Sequence, residues 1–160
     1  MSRPVASERE IVIERVFDAP REVVYNAWTD PEQLAKWWGP EGVTAITSEH
    51  NFTIGGSWVY TMGPEGRNEG GVLMTSVFRE IVPLERITTD DTMGDTGGHP
   101  RPEDVTVTAI FEDHGEKTKL TLRILHASAE DRRINEEDIK IQFGWGASFD
   151  SFDKYLAKIA

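Results

Sequence analysis

Trp145-Gly146-Ala147-Ser148-Phe149-Asp150-Ser151-Phe152-Asp153-Lys154-Tyr155-Leu156-Ala157-Lys158-Ile159 is the stretch whose reading decides the fold. Trp145, Phe149, Phe152, Leu156 and Ile159 recur at spacings of 4, 3, 4 and 3. On a helix of about 3.6 residues per turn that makes one apolar stripe. Asp150, Asp153, Lys154 and Lys158 fall on other faces, and the two lysines suit the negative end of the helix dipole. Burying the stripe contributes on the order of 1.5–3 kcal/mol per residue, so the helix must lie on an apolar surface. Upstream the phase is lost. Ile139 and Phe143 fall nearly opposite Trp145, and Gly144 and Gly146 sit at the change. The cappable acidic run Asn135-Glu136-Glu137-Asp138 sets the expected helix at 135–159, either bent at the glycines or starting later.

The rest of the chain supplies that surface. Ile11 to Phe17 is β-branched and apolar and reads as a strand. Asp18-Ala19-Pro20 opens a short helix with Val23, Val24, Ala27 and Trp28 on its buried side. Asp30-Pro31-Glu32-Gln33 opens a second, with Asp30 as cap and Pro31 in the first turn, and Gly39-Pro40 closes it. The pattern then changes to strands: 43–52, 57–62, 71–82, 86–90, 105–111 and 118–126, divided by Gly, Pro and Asp turns. Residues 91–104, rich in Gly, Pro, Asp and Thr, form the longest expected loop and a candidate lid. Sequential strands with short turns pair antiparallel. The expected fold is therefore α+β: a curved antiparallel sheet of about seven strands wrapped around a long C-terminal helix. Residues 1–10 are expected to form a flexible arm and 11–160 a single domain.

Composition narrows the functions. A formal net charge of −11 is the wrong sign for a nucleic-acid footprint. No apolar run approaches the roughly 20 residues of a membrane span. The absence of cysteine rules out disulfides and thiolate metal sites, and the chain is expected in the cytoplasm. No histidine pair has the helical spacing of a zinc site, so no metal and no cofactor are expected. No nucleophile elbow or phosphate loop is present, and no catalytic residue is assigned. The expected assembly is a monomer or homodimer.

Several stretches together resemble a known family: Phe17-Asp18-Ala19-Pro20-Arg21-Glu22-Val23-Val24-Tyr25-Asn26-Ala27-Trp28-Thr29-Asp30-Pro31, Trp37-Trp38-Gly39-Pro40, Gly55-Gly56-Ser57-Trp58, Glu80-Ile81-Val82-Pro83-Leu84-Glu85-Arg86-Ile87 and Gly144-Trp145. In this order and spacing they resemble the START-like, Bet v 1-like (SRPBCC) helix-grip superfamily, and within it the family of activator of Hsp90 ATPase homologues. Asn51 stands where the family commonly has Asp, and Thr53 where it commonly has Arg. The resemblance implies a seven-stranded sheet gripping the C-terminal helix, with a pocket between them. It does not imply one function, because such folds serve as ligand carriers, cyclase-like enzymes and a co-chaperone domain.

The reading that follows is binding of a small apolar or aromatic ligand in that pocket. Its expected lining is Trp38, His50, Trp58, Tyr60, Met74, Phe111 and His126 from the sheet side, and Ile139, Gln142 and Phe143 from the first half of the helix. Each aromatic has ordinary core packing as its competing assignment. His50 shares a strand face with Phe52, and His126 follows the inward row Leu120, Leu122, Ile124. Either histidine would supply the acid or base if the protein were instead a cavity enzyme of cyclase or hydrolase type. A third alternative is an interaction module of the Hsp90 co-chaperone kind. Glu14, Arg15, Glu49, Arg79, Glu80 and Arg123 are expected on the solvated face.

Overall fold

The structure is a computed structural model that describes residues 8–38, 43–64, 71–94 and 102–159. The strands are β1 (Glu10–Phe17), β2 (Val43–His50), β3 (Ser57–Pro64), β4 (Val72–Val82), β5 (Arg86–Met93), β6 (Val105–His114) and β7 (Lys117–Leu125). The helices are α1 (Arg21–Thr29), α2 (Pro31–Trp37), α3 (Ala129–Arg133) and α4 (Ile141–Ile159), with a π-turn over Ile134–Asp138. All seven strands form one antiparallel sheet in the order β1-β7-β6-β5-β4-β3-β2. The first two strands in sequence thus lie at opposite edges, and α1 and α2 carry the chain from one edge to the other. The expected α+β helix-grip architecture is what the chain adopts.

Local chemistry accounts for the elements. The Asp30 carboxylate caps α2 by accepting the Glu32 backbone N–H at 3.1 Å, and Pro31 occupies the first turn. Gln33 Nε2 donates to the same carboxylate at 3.2 Å. Trp37, at the end of α2, is buried and donates its indole N–H to the Ala27 carbonyl. Gly55 takes φ +88° in the turn between β2 and β3, a conformation that suits glycine. On the inner face of the sheet, residues alternate as the period of two requires: Trp58, Tyr60, Met62 on β3; Met74, Ser76, Phe78 on β4; Ile87, Thr89, Asp91, Met93 on β5.

Helix α4 begins six residues later than Asn135, at Ile141. Lys140 lies just before it with φ 58°, and a residue in that left-handed conformation cannot continue a helix. The change of phase at Ile139 is therefore a break at Lys140, whereas Phe143, inside α4, is out of phase with the stripe because it faces solvent. Gly144 and Gly146 lie inside an unbroken helix. Running the stripe back from Ser148 by 3, 4 and 7 residues reaches Trp145, Gly144 and Ile141.

The C-terminal part of α4 is the clamp. Phe149, Phe152 and Leu156 are at most 2% exposed. Phe152 stacks on Trp37 with centroids 4.0 Å apart, and Phe17 meets both phenylalanines edge-on. Tyr155 donates its hydroxyl to Gln33 Oε1 at 2.9 Å. Arg15, expected in solvent, turns to this helix: Nη1 donates to Asp150 and Asp153, and its guanidinium lies 5.5 Å over the Phe149 ring. The backbone neighbours of α4 are concentrated in α2, β1 and the π-turn. Over the middle strands, helix and sheet stand apart.

Candidate functional site

The gap between α4 and the middle strands leaves a partly open space of about 360 Å³. Its aromatic wall comes from α1, the end of α2, β3 and α4. Trp38 lies edge-on to Trp58 at 4.9 Å and to Trp145 at 5.1 Å, and Trp28 stacks on Trp145 at 5.9 Å. Four of the five tryptophans thus line one space. Met62, Val72, Met74, Phe78, Ile87, Val105, Val107 and Ala109 form the sheet wall, and Ile141, Gly144, Trp145 and Ser148 the helix wall.

His50 reaches this space because the β2–β3 ladder bulges between Thr47 and Glu49, which brings His50 opposite Trp58. Burial holds its pKa below 6.5. Trp58 Nε1 donates to Thr47 Oγ1 at 3.0 Å. Tyr60 is 3% exposed, and burial first, then the neighbouring Asp91 charge, raises its hydroxyl well above the usual value.

One polar residue of the wall is Asp91. It pairs with Ser76 across β4 and with Val105 across β6, and Trp58 continues the same row. Burial pushes its carboxyl from 3.8 up to about 6, against the pull of hydrogen bonds from Thr89 and Ser76; the Asp90 charge adds to the rise. Its Oδ1 is buried without a partner. Asp90 points the other way, where Arg79 at 2.6 Å and Thr106 at 2.9 Å lower its pKa. The pleat alone separates these two environments.

Asn135, in the π-turn, also lines the space and is 3% exposed. Its orientation follows from His126. His126 Nδ1 lies 2.6 Å from the Arg9 carbonyl, which can only accept, so Nδ1 carries the proton. Burial lowers the pKa of this ring, which stays neutral at pH 7, and its Nε2 is then an acceptor. Asn135 Nδ2, 2.9 Å away, is the donor it meets. Asn135 Oδ1 is turned away from His126 and is buried without a partner.

The family model described as activator of Hsp90 ATPase homolog 1-like protein matches residues 18–157. The chain belongs to this family. Solved structures agree. A protein of Arthrobacter aurescens is 26% identical, with a TM-score of 0.83 over 96% of this chain and 88% of its own. A Mycobacterium smegmatis protein is 24% identical, with a TM-score of 0.80 over 94% and 92%. An AHSA1 protein of Silicibacter pomeroyi is 20% identical, with a TM-score of 0.73 over 94% and 99%. No curated protein matches the chain.

On this AHSA1-like frame, Trp38, His50, Trp58, Tyr60 and Met74 line the space. The other five expected residues lie elsewhere. Phe111 is packed into the core against Tyr25 and Trp28. His126 is locked behind Asn135 with both ring nitrogens engaged. Ile139 belongs to the segment before Lys140, Gln142 is exposed and donates to Glu136, and Phe143 is 80% exposed. The helix side of the lining is Ile141, Gly144, Trp145 and Ser148. Asp91 escaped the sequence reading because the Asp90-Asp91 pair is poor strand material, which ended the expected strand at Asp90. The alternation Ile87, Thr89, Asp91, Met93 is the signal that would have found it. Residues 91–93 of the expected lid are strand, Pro102 and Glu103 line the space, and residues 95–101 lie outside the described residues. So do residues 1–7 of the expected arm, while Arg9 accepts the His126 backbone N–H at 2.8 Å. Among the described residues no group of side chains could hold a metal, and no helix is long and apolar enough to cross a membrane.

Proposed function

We propose that this AHSA1-like protein binds a small, largely apolar ligand between α4 and the inner face of the sheet. The observation that carries the reading is the space of about 360 Å³, walled by Trp28, Trp38, Trp58, Trp145 and the aliphatic rows of β3–β6. Protein interiors are packed closely, and voids much larger than a water molecule are few. A volume of this size with apolar walls and a few placed polar groups suits a small molecule.

Native mass spectrometry of gently purified protein, together with tryptophan fluorescence during titration with an apolar ligand panel, tests the reading. Binding changes the emission, because most of the indoles stand at the wall. Gly144→Leu is the matched control. A Cβ at Gly144 meets no atom within 4 Å, and the position faces the space in phase with Ile141 and Ser148. The leucine takes up part of the volume and removes a helical glycine, so the variant binds ligand more weakly while its fold gains about 1 kcal/mol. Ligand binding unchanged in Gly144→Leu, or no response to any compound, overturns the reading.

A further inference from the structure

We propose, on the reading that this space holds a ligand, that its occupant is an apolar amine or alcohol whose N–H or O–H groups donate to Asp91 Oδ1 and Asn135 Oδ1. Among the described residues these two atoms are the buried side-chain polar atoms without a partner. Both belong to residues that line the same space, and they come from different elements, β5 and the π-turn. Native proteins rarely leave buried polar atoms unpaired, because each costs roughly 1–3 kcal/mol and more when charged.

Each residue also has partners within the protein. Thr89 and Ser76 hydrogen-bond to the Asp91 carboxyl, and His126 takes the Asn135 amide N–H. The chain of constraints is rigid at Asn135: the Arg9 carbonyl sets the His126 tautomer, and the tautomer sets which end of the Asn135 amide looks away. What both residues offer is therefore an acceptor.

The charges on the wall point the same way. Asp91 and Glu103 line the space, and no Lys or Arg does among the described residues. A carboxylate or phosphate ligand would find no counter-ion and would face Asp91 across a dry gap. A protonated amine would find a charge-assisted partner. An alcohol would find the same acceptors without the charge.

Four compounds with one naphthalene frame separate these cases: naphthylmethylamine, naphthol, naphthoate and methylnaphthalene, all substituted at the same ring carbon. Calorimetric titration near neutral pH and about 0.15 M salt keeps surface charges screened. The amine is expected to bind roughly tenfold or more tighter than methylnaphthalene, as a hydrogen bond to a charged group warrants, and naphthol to fall between them. Naphthoate is expected to bind weakest. Asp91→Asn removes about tenfold from the amine and leaves methylnaphthalene within about threefold. Asp91→Leu, of similar size and apolar, gives the same loss if the Asn variant does not fold. The Asn135 side-chain amide signal in NMR spectra shifts with the amine and not with methylnaphthalene.

Equal affinities for amine and hydrocarbon, a preference that survives both Asp91 variants, or naphthoate as the tightest ligand overturns this inference and leaves the cavity reading standing. Binding of none of the four overturns the cavity reading, and this inference with it.

Discussion

Replacing Asp91 with Asn should make the empty protein more stable, and only above the pH at which Asp91 ionises. In the fold, burial raises its pKa from 3.8 to about 6. A raised acid pKa means the folded state holds its proton more tightly than the unfolded chain does. The stabilising contribution is full below 3.8 and is lost as the pH rises through about 6. At about 1.4 kcal/mol per pH unit, the ionised carboxylate destabilises the fold by about 3 kcal/mol at neutral pH. Tyr60, Ser76 and Thr89 surround the group, and Asp90 is the charged neighbour that adds to the rise. Asparagine keeps the shape and a carbonyl acceptor, and carries no charge to bury. Urea unfolding of both proteins across this pH range measures the effect, and the difference curve cancels every other titrating group. Near pH 3, below the unfolded value of 3.8, the curves should coincide. Near neutrality the variant should lead by about 2–3 kcal/mol, or roughly 4–12 °C in Tm for a domain of this size. A difference that is flat with pH, or wild type the more stable at neutrality, refutes the reasoning. Stability and binding should then move in opposite directions, the signature of a group kept for function at the expense of the fold.

Other outcomes follow from the same packing. Phe149→Ala removes a ring that is 1% exposed and touches Phe17, Trp28 and Trp145; a loss of about 3–5 kcal/mol is expected in chemical denaturation. Lys140→Gly relieves the left-handed residue that separates the π-turn from α4, and should raise stability by about 1 kcal/mol without shifting the helix start seen in backbone chemical shifts. Gly144→Leu should raise Tm by a few degrees and weaken the fluorescence response to ligands.

Much of this fold was legible because the relevant signals are local. Asp30-Pro31 starts a helix wherever it occurs, since the carboxylate and the ring act within one turn. Trp58-Val59-Tyr60 alternates because the pleat does. Of the candidate site, Trp38, His50, Trp58, Tyr60 and Met74 border the space, and the strand faces of the last four could be read from period-two patterning. The helix side could not. Gln142 and Phe143 lie inside α4 but are exposed, and Ile139 lies before Lys140, whose left-handed conformation nothing about a lysine announces.

By itself the sequence determined that an apolar stripe running from Trp145 had to be buried on an antiparallel sheet, because the 3.6 and 2.0 residue periods fix helix and strand; the expected burial stops at Leu156, and Ile159 is 46% exposed. Phe149, Phe152 and Leu156 are the buried outcome of that stripe. Only the tertiary structure decided where the helix stands off the sheet, and which polar atoms meet there. Asp90 and Asp91 are chemically identical neighbours, yet one is paired with Arg79 in solvent and the other is walled in beside Ser76 and Thr89. Whether a carboxylate is solvated or stranded depends on what the other strands and α4 bring to it, and those partners lie far away along the chain.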